Sequence, residues 1–210
     1  MCGIIGSPYK DVFKQLFKQN QERGNFAYGV VKFCINNKVK VVKDNNFEKE
    51  LKFEDDTVFY LGHLQSPTST KREFSKNTTH PFEYKGMYLA HNGILSNFDK
   101  LKTKYNKYIP KNTINEVDSS IILPMVDKIG LKATVQELEG TFGCWLYDSN
   151  TSELLVFRSG STIYTDSKNI SSKPIKNWQL LEEGIIYRFN FTKLRYEPIE
   201  TFQAKNGFFI

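Results

Sequence analysis

The order of the sequence patterns is the feature that most constrains the fold of this chain. Short segments rich in β-branched and aromatic residues come first, bounded by polar or glycine-containing turns, and such segments predict strands. They are YGVVKFCI, VKVVK, TVFYLGHL and MYLAHNG. Apolar residues then recur near helical spacing, and strand patterns resume with FGCWLYD and ELLVFRS. This grouping predicts an α+β fold of stacked layers, because a doubly wound fold would alternate strands and helices steadily.

Two regions show the spacing of helices. The first is DVFKQLFKQNQERG, whose apolar positions predict a helix that ends at Gly24. The second runs from Glu116 to Leu138, with Gly130 as a break between two helices. We expect the second pair to pack across a sheet face.

Composition and charge narrow the class of protein. The chain has 210 residues, 40% of them hydrophobic and 25% charged, which is typical of a globular protein and predicts one domain over residues 1–210. Its apolar runs are too short to span a bilayer, and no secretion signal is visible, so we expect a cytoplasmic location and no membrane partner. The net charge of +6 is dispersed among acids, which predicts a solvated basic surface rather than a nucleic-acid site.

A cysteine directly after the initiator methionine is the first pattern that suggests chemistry. Removal of Met1 would leave the thiol of Cys2 beside a free α-amine. An α-amine has a pKa of about 8 and can accept the proton of the thiol. One residue would therefore supply both the nucleophile and the base. The alternative is a small buried residue at the start of a strand, and the following GIIG does not decide between the two.

An ordered set of motifs favours the catalytic interpretation. The set is MCGIIG, RGNFAYG, GHLQSPTS, HPFEYKGMYLAHNGILSN, NEVDSSI, LEGTFGCWLYD and FRSGS. In this order and spacing, the chain resembles the class II glutamine amidotransferases over nearly its whole length. These are the N-terminal-nucleophile glutaminase domains found in glucosamine-6-phosphate synthase, amidophosphoribosyltransferase and asparagine synthetase. The resemblance implies a four-layer α/β/β/α sandwich with Cys2 at the edge of a central sheet.

The resemblance also implies catalytic residues in the HNG motif. Asn92 and Gly93 match the family's oxyanion hole, where a side-chain amide and a backbone N–H face the oxygen that becomes negative when the thiol attacks. The local alternative is a type I′ hairpin turn, because Asn-Gly is the strongest short signal for one. Cys2, Asn92 and Gly93 are therefore the expected catalytic residues.

Two further residues match family positions that serve the substrate. Asp118 matches the carboxylate that binds the α-ammonium of glutamine. Considered alone, it would be interpreted as a helix cap or a first-turn acid. Arg23 matches an arginine that lies close to the nucleophile and orders the pocket, and its alternative is a surface arginine before a turn.

One substitution departs from the family pattern. Gln65 stands where relatives have an arginine that holds the α-carboxylate of the substrate, whereas Thr68 still matches a neighbouring carboxylate-binding position. A neutral amide cannot replace a charged bidentate donor. We expect either that Lys71 or Arg72 supplies the charge, or that glutamine binds weakly until a partner docks. The segment Gln65–Thr79 is the expected mobile flap.

The remaining histidines and cysteines are not needed by this chemistry. The mechanism uses no imidazole base, so His63, His80 and His91 are expected to have structural or flap-positioning roles. Cys34 and Cys144 lie in apolar strand-like segments and are expected to be buried thiols. No cysteine spacing suggests a metal site.

The reaction implied is hydrolysis of glutamine to glutamate and ammonia through a thioester at Cys2, with no cofactor. The chain has no room for a synthase module, so we expect an ammonia-accepting synthase in trans. Two alternatives stay open. One is a stand-alone amidohydrolase of the same fold acting on another amide, and the other is a catalytically idle regulatory subunit or a basic nucleic-acid-binding module.

Overall fold

The fold consists of two antiparallel sheets with helices on their outer faces. The computed structural model describes residues 2–34, 38–53, 56–66, 73–114 and 116–205. The strands in these ranges are β1 (Gly3–Ser7), β2 (Ala27–Cys34), β3 (Val39–Asp44), β4 (Thr57–Gln65), β5 (Phe82–Tyr84), β6 (Met87–Leu95), β7 (Gly140–Asp148), β8 (Glu153–Ser159), β9 (Tyr164–Thr165), β10 (Ile170–Ser171), β11 (Gln179–Leu180), β12 (Ile185–Asn190) and β13 (Arg195–Thr201). The helices are α1 (Lys10–Asn20), α2 (Phe98–Tyr105), α3 (Ile122–Ile129) and α4 (Leu131–Glu137), and a 3-10 turn (Asp118–Ile121) leads into α3.

The two sheets differ in which parts of the chain they combine. The first has the strand order β11-β9-β10-β1-β4-β2-β3, and the second has the order β13-β12-β8-β7-β6-β5. Strand β1 therefore lies inside the first sheet, between β10 and β4. Strand β6 lies inside the second sheet, between β5 and β7.

The space between the sheets is filled by side chains from both of them. Ile4 on β1 and Leu61 on β4 pack in one buried cluster with Ala90 on β6 and Trp145 on β7. The indole Nε1 of Trp145 donates a hydrogen bond to the carbonyl oxygen of Gly62, 3.1 Å away, so the sheets are joined by a polar contact as well. Successive residues on a strand face opposite sides of the sheet. The residues next to these in sequence therefore point to the outer faces of the sheets.

The outer faces are covered by the helices. On the first sheet, Phe13, Leu16 and Phe17 of α1 pack against Tyr28 and Leu64. On the second sheet, a separate cluster joins residues of β6 and β7 to the 3-10 turn and to α3 and α4. The predicted α/β/β/α layering is therefore confirmed.

Most predicted elements are present, with two differences. Gly130 separates α3 from α4 with a φ of +80°, as expected. The first helix was predicted to end at Gly24, but α1 ends at Asn20 and a turn follows. Helix α2 was not predicted. None of the helices in the described ranges combines the length and the apolar character needed to cross a bilayer.

Candidate functional site

Cys2 lies at the partly exposed end of a buried strand. It directly precedes β1, in which all five residues are buried, while Cys2 itself is half-buried and its thiol forms no disulfide. Gly3 of β1 pairs with Leu64 of β4. Continuing this antiparallel register by one residue places Cys2 beside Gln65. The strand thus presents a reduced thiol at one end of the first sheet.

Arg23 approaches Cys2 from the turn that follows α1. Its Nε donates a hydrogen bond to the backbone oxygen of Cys2 over 3.1 Å. Burial lowers the pKa of Arg23, and the nearby Cys2 and Tyr164 oppose that shift by favouring the charged form. Because a guanidinium stays protonated in proteins, a fixed positive charge lies next to the candidate nucleophile.

Asn92 and Gly93 lie within β6, so the hairpin-turn interpretation is wrong. They pair with Gly143 and Phe142 of β7. Gly93 has a φ of +151°, and a Cβ at this position would lie 1.9 Å from the carbonyl oxygen of Thr141. A side chain is therefore excluded here by the close approach of β7. The Asn-Gly pair reflects a local distortion in the middle of a strand.

Ser172, which the sequence did not indicate, connects Asn92 to the strand of the nucleophile. Its Oγ accepts a 2.9 Å hydrogen bond from the backbone N–H of Ile4 and a longer one, 3.4 Å, from Nδ2 of Asn92. The backbone N–H of Ser172 donates to the oxygen of Ile4 at 2.8 Å. Ser172 is fully buried. It therefore links Ile4, the second residue of β1, to the candidate oxyanion-hole residue on the other sheet.

Asp118 begins the 3-10 turn, and each oxygen of its carboxylate accepts a hydrogen bond from a backbone N–H. Its Oδ2 accepts from the backbone N–H of Leu95 at 2.7 Å. Its Oδ1 accepts from the backbone N–H of Ser119 at 2.7 Å and lies 3.1 Å from the Ser119 hydroxyl. The side chain is 23% exposed. The carboxylate is thus anchored through both oxygens and partly exposed, and it is bonded to Leu95, two residues beyond Gly93 on β6.

The three histidines are buried around these residues. Nδ1 of His91 lies 2.7 Å from the Ser119 hydroxyl, and its Nε2 lies 3.3 Å from the oxygen of Thr141. Nε2 of His63 lies 3.1 Å from the backbone oxygen of His91. The rings of His63 and His80 approach to 4.2 Å between centroids. A histidine cluster thus lies between the two sheets and the Asp118 turn.

Gln65 is the last residue of β4 and is 2% exposed, so it belongs to the sheet rather than to the predicted flap. Its backbone oxygen accepts a hydrogen bond from Phe26. Thr68, Lys71 and Arg72 lie outside the described residues. The structure therefore brings Cys2 together with Arg23 and Gln65, and it connects their sheet to Asn92 through Ser172.

The other two cysteines differ from Cys2 in their surroundings. Cys34 and Cys144 are buried, as predicted. Burial raises the pKa of both thiols, and for Cys144 the negative charge of Asp118 raises it further. Both are held in the unreactive protonated form. In the described part of the chain, no group of three or more histidines, cysteines and acids is arranged to hold a metal ion.

Comparison with known proteins agrees with this architecture. The chain superimposes on the glutamine phosphoribosylpyrophosphate amidotransferase from B. subtilis with a TM-score of 0.72 at 17% identity, covering 96% of this chain and 49% of that one. This likeness shows that the two chains share a fold. Residues 71–165 match the family model described as glutamine amidotransferase domain.

Curated relatives are similar to the chain over more of its length. The 7-cyano-7-deazaguanine synthase 2 of Sulfurisphaera tokodaii is 26% identical over 165 residues, covering 68% of this chain and 35% of the relative. The glutamine–fructose-6-phosphate aminotransferase of Shewanella oneidensis is 27% identical over 211 residues, covering 88% of this chain and 34% of the relative. The chain thus spans about a third of the length of these relatives. Together with the shared fold, these similarities relate the chain to glutamine amidotransferase domains.

Proposed function

We propose that the chain hydrolyses glutamine to glutamate and ammonia through a thioester at Cys2, exposed as the first residue by removal of Met1. The thiol attacks the side-chain amide carbon and its proton passes to the α-amine of Cys2. The tetrahedral intermediate collapses to a γ-glutamyl thioester, and the proton leaves with ammonia. Water then attacks the thioester, releasing glutamate and restoring the thiol. The nucleophile, base and acid are thus supplied by one residue.

The observation that carries this proposal is the connection of β1, the strand that begins directly after Cys2, to Asn92. This strand and Asn92 belong to different sheets, yet Ser172 hydrogen-bonds to both of them. The amide nitrogen of Asn92 has two hydrogens, so one remains for a substrate oxygen while the other faces Ser172. In this proposal Asn92 and Gly93 stabilise the oxyanion, a task for which preorganised donors are effective.

Two charged residues complete the proposed pocket. Asp118 binds the α-ammonium of glutamine, since its carboxylate is anchored and partly exposed. Arg23 holds the backbone of Cys2 in place through its bond to the carbonyl oxygen. Thr68 is proposed to contact the α-carboxylate. Gln65 lies beside the nucleophile but supplies no charge, so the isolated protein should bind glutamine weakly.

Mutation of Cys2 tests the mechanism. Cys2→Ala should abolish ammonia release and leave the melting temperature unchanged, whereas the matched control Cys34→Ala should retain wild-type turnover. Intact mass should show loss of Met1 and one adduct with a thiol-alkylating glutamine analogue, absent from the Cys2→Ala protein. Ammonia release by that protein at the wild-type rate would exclude the proposed nucleophile.

The ammonia acceptor is proposed to be a synthase in trans. The names of the relatives, a synthase and an aminotransferase among them, support a division between glutamine hydrolysis and a second reaction. Co-purification from the native source should identify a protein that raises glutamine turnover and consumes the ammonia. Full glutaminase activity without any such protein, and no change on adding candidates, would argue against this part.

One observation favours a second candidate function. Gln65 is buried beside Cys2, where an arginine would be expected for a glutamine carboxylate. A stand-alone amidohydrolase acting on a different amide would not need that charge. A panel of γ-amides with and without an α-carboxylate distinguishes the two, because only the glutaminase should prefer the carboxylated compounds.

A further inference from the structure

We propose that His91 is a positioning residue for glutamine binding, which draws the hydroxyl hydrogen of Ser119 away from Asp118. The carboxylate of Asp118 then keeps acceptor capacity for the substrate ammonium. This inference rests on the proposed glutaminase function, because it deepens the role of Asp118. It concerns substrate affinity and leaves the oxyanion hole unchanged.

The partners of His91 define which ring nitrogen carries the hydrogen. Nε2 lies 3.3 Å from the carbonyl oxygen of Thr141, which can only accept. Nε2 therefore donates, and in the neutral ring Nδ1 is an acceptor. The Ser119 hydroxyl lies 2.7 Å from Nδ1, a short distance for such a bond. Neutral His91 accepts the hydrogen of Ser119.

The same hydroxyl lies within reach of Asp118. Its oxygen is 3.1 Å from Oδ1, so this hydrogen has two competing acceptors, and His91 is the closer. With the hydrogen on His91, the donors among the described residues are the backbone N–H of Ser119 for Oδ1 and that of Leu95 for Oδ2. Each carboxylate oxygen can accept about two hydrogen bonds. Both oxygens therefore retain a site for an ammonium.

Burial makes this competition effective. The side chain of His91 is 1% exposed, and Ser119 is also buried, so solvent does not replace a missing partner. A buried hydroxyl that loses its acceptor turns to the next one, because an unsatisfied donor is costly. Without the imidazole, the hydrogen of Ser119 would go to Asp118 and occupy one of its acceptor sites.

A double-mutant cycle tests this relation. His91→Leu removes the acceptor at similar volume, and the KM for glutamine should rise roughly 10-fold with kcat within about 2-fold. Ser119→Ala alone should change KM by less than about 2-fold, since the backbone N–H to Asp118 remains. The double variant His91→Leu/Ser119→Ala should recover near wild-type KM. If the two substitutions acted only by damaging the structure, their separate effects on KM would add in the double variant. Such additivity would overturn the inference.

A conservative variant and a control sharpen the result. In His91→Asn the side-chain oxygen can accept from Ser119, so KM should stay near the wild-type value. Ser120→Ala, on the same turn, should leave all constants unchanged. A 10-fold rise in KM for His91→Asn would also overturn the inference.

Asp118→Ala separates this inference from the proposed function. It should raise the KM for glutamine strongly but not that for glutaramate, which lacks the α-amine. If Asp118→Ala leaves glutamine binding intact, the assigned role of Asp118 fails. If Asp118→Ala behaves as expected but the double variant shows no recovery, only the inference fails.

A measurement on the wild-type protein remains decisive even where a variant fails to fold. Nitrogen-15 NMR distinguishes the two ring tautomers, and the chain has only three histidines, so comparison with the spectrum of Ser119→Ala identifies His91. The expected form at neutral pH has hydrogen on Nε2 and a hydrogen-bonded lone pair on Nδ1. A hydrogen on Nδ1 would overturn the inference.

Discussion

Replacing Asn92 with alanine would test the oxyanion hole. The side chain is 4% exposed and its amide nitrogen contacts Ser172 at 3.4 Å, which is a long hydrogen bond. Its loss should therefore cost the fold no more than about 1 kcal/mol of unfolding free energy. Loss of one oxyanion donor, in contrast, raises the barrier by about 2.7 to 4 kcal/mol, or about 10²- to 10³-fold in kcat.

The assay is ammonia release at a range of glutamine concentrations, together with thermal unfolding. We expect kcat of Asn92→Ala to fall by the factor above while KM changes by less than about 3-fold, because the amide acts on the developing negative charge. Ser172→Ala is the companion variant. Ser172→Ala keeps the amide of Asn92 but removes the hydroxyl that this amide contacts, so we expect a smaller fall in kcat.

Two results would refute this reasoning. A change confined to KM would show that Asn92 contacts glutamine in the ground state or only shapes the strand. A melting temperature lowered by many degrees would show that the lost activity reflects the fold instead. Asn92→Asp should be at least as inactive as the alanine variant, because a carboxylate would repel the oxyanion.

Three other substitutions have defined outcomes. Gln65→Arg should lower the KM for glutamine about 10-fold, since a charged hydrogen bond is worth roughly 1.5 to 3 kcal/mol, and glutamine should raise its melting temperature. A higher KM, with another γ-amide hydrolysed well by the wild type, would favour the amidohydrolase. Gly93→Ala should cut kcat at least about 100-fold and destabilise the fold, because its Cβ would meet Thr141 at 1.9 Å. Gly130→Ala would meet nothing within 4 Å, so its cost should be the backbone strain alone, about 1 to 3 kcal/mol of stability, and turnover should be retained.

The layers were predictable because each is marked by its own pattern. Strands β2, β4 and β7 are rich in β-branched and aromatic residues, and the break at Gly130 interrupts a long helical spacing. Helix α2 was missed for a physical reason. Its eight residues, FDKLKTKY, contain only three apolar side chains among its lysines, so two turns give too little periodicity to detect.

Residues of the candidate site could be predicted only where they belong to a local sequence motif. Cys2 and the HNG segment stand out in the sequence, whereas Ser172 contacts residues 168 and 80 positions away. Those contacts exist only because distant strands pair in the fold. The serine pair Ser171-Ser172 therefore gave no indication of a functional role in the sequence. The Asn-Gly dipeptide was ambiguous for the opposite reason. Its local preference is for a turn, and the close approach of β7 overrides that preference.

Strand β6 presents consecutive residues to opposite sides, with His91 towards the Asp118 turn and Asn92 towards Ser172. In the proposed mechanism, recognition of the substrate amine and stabilisation of the reacting oxygen therefore depend on one segment in the middle of a sheet. A lineage of such proteins cannot readily adjust either contact without disturbing the other. The edge of the pocket at Gln65 belongs to a different sheet, and it is there that substrate preference can diverge while the chemistry is preserved.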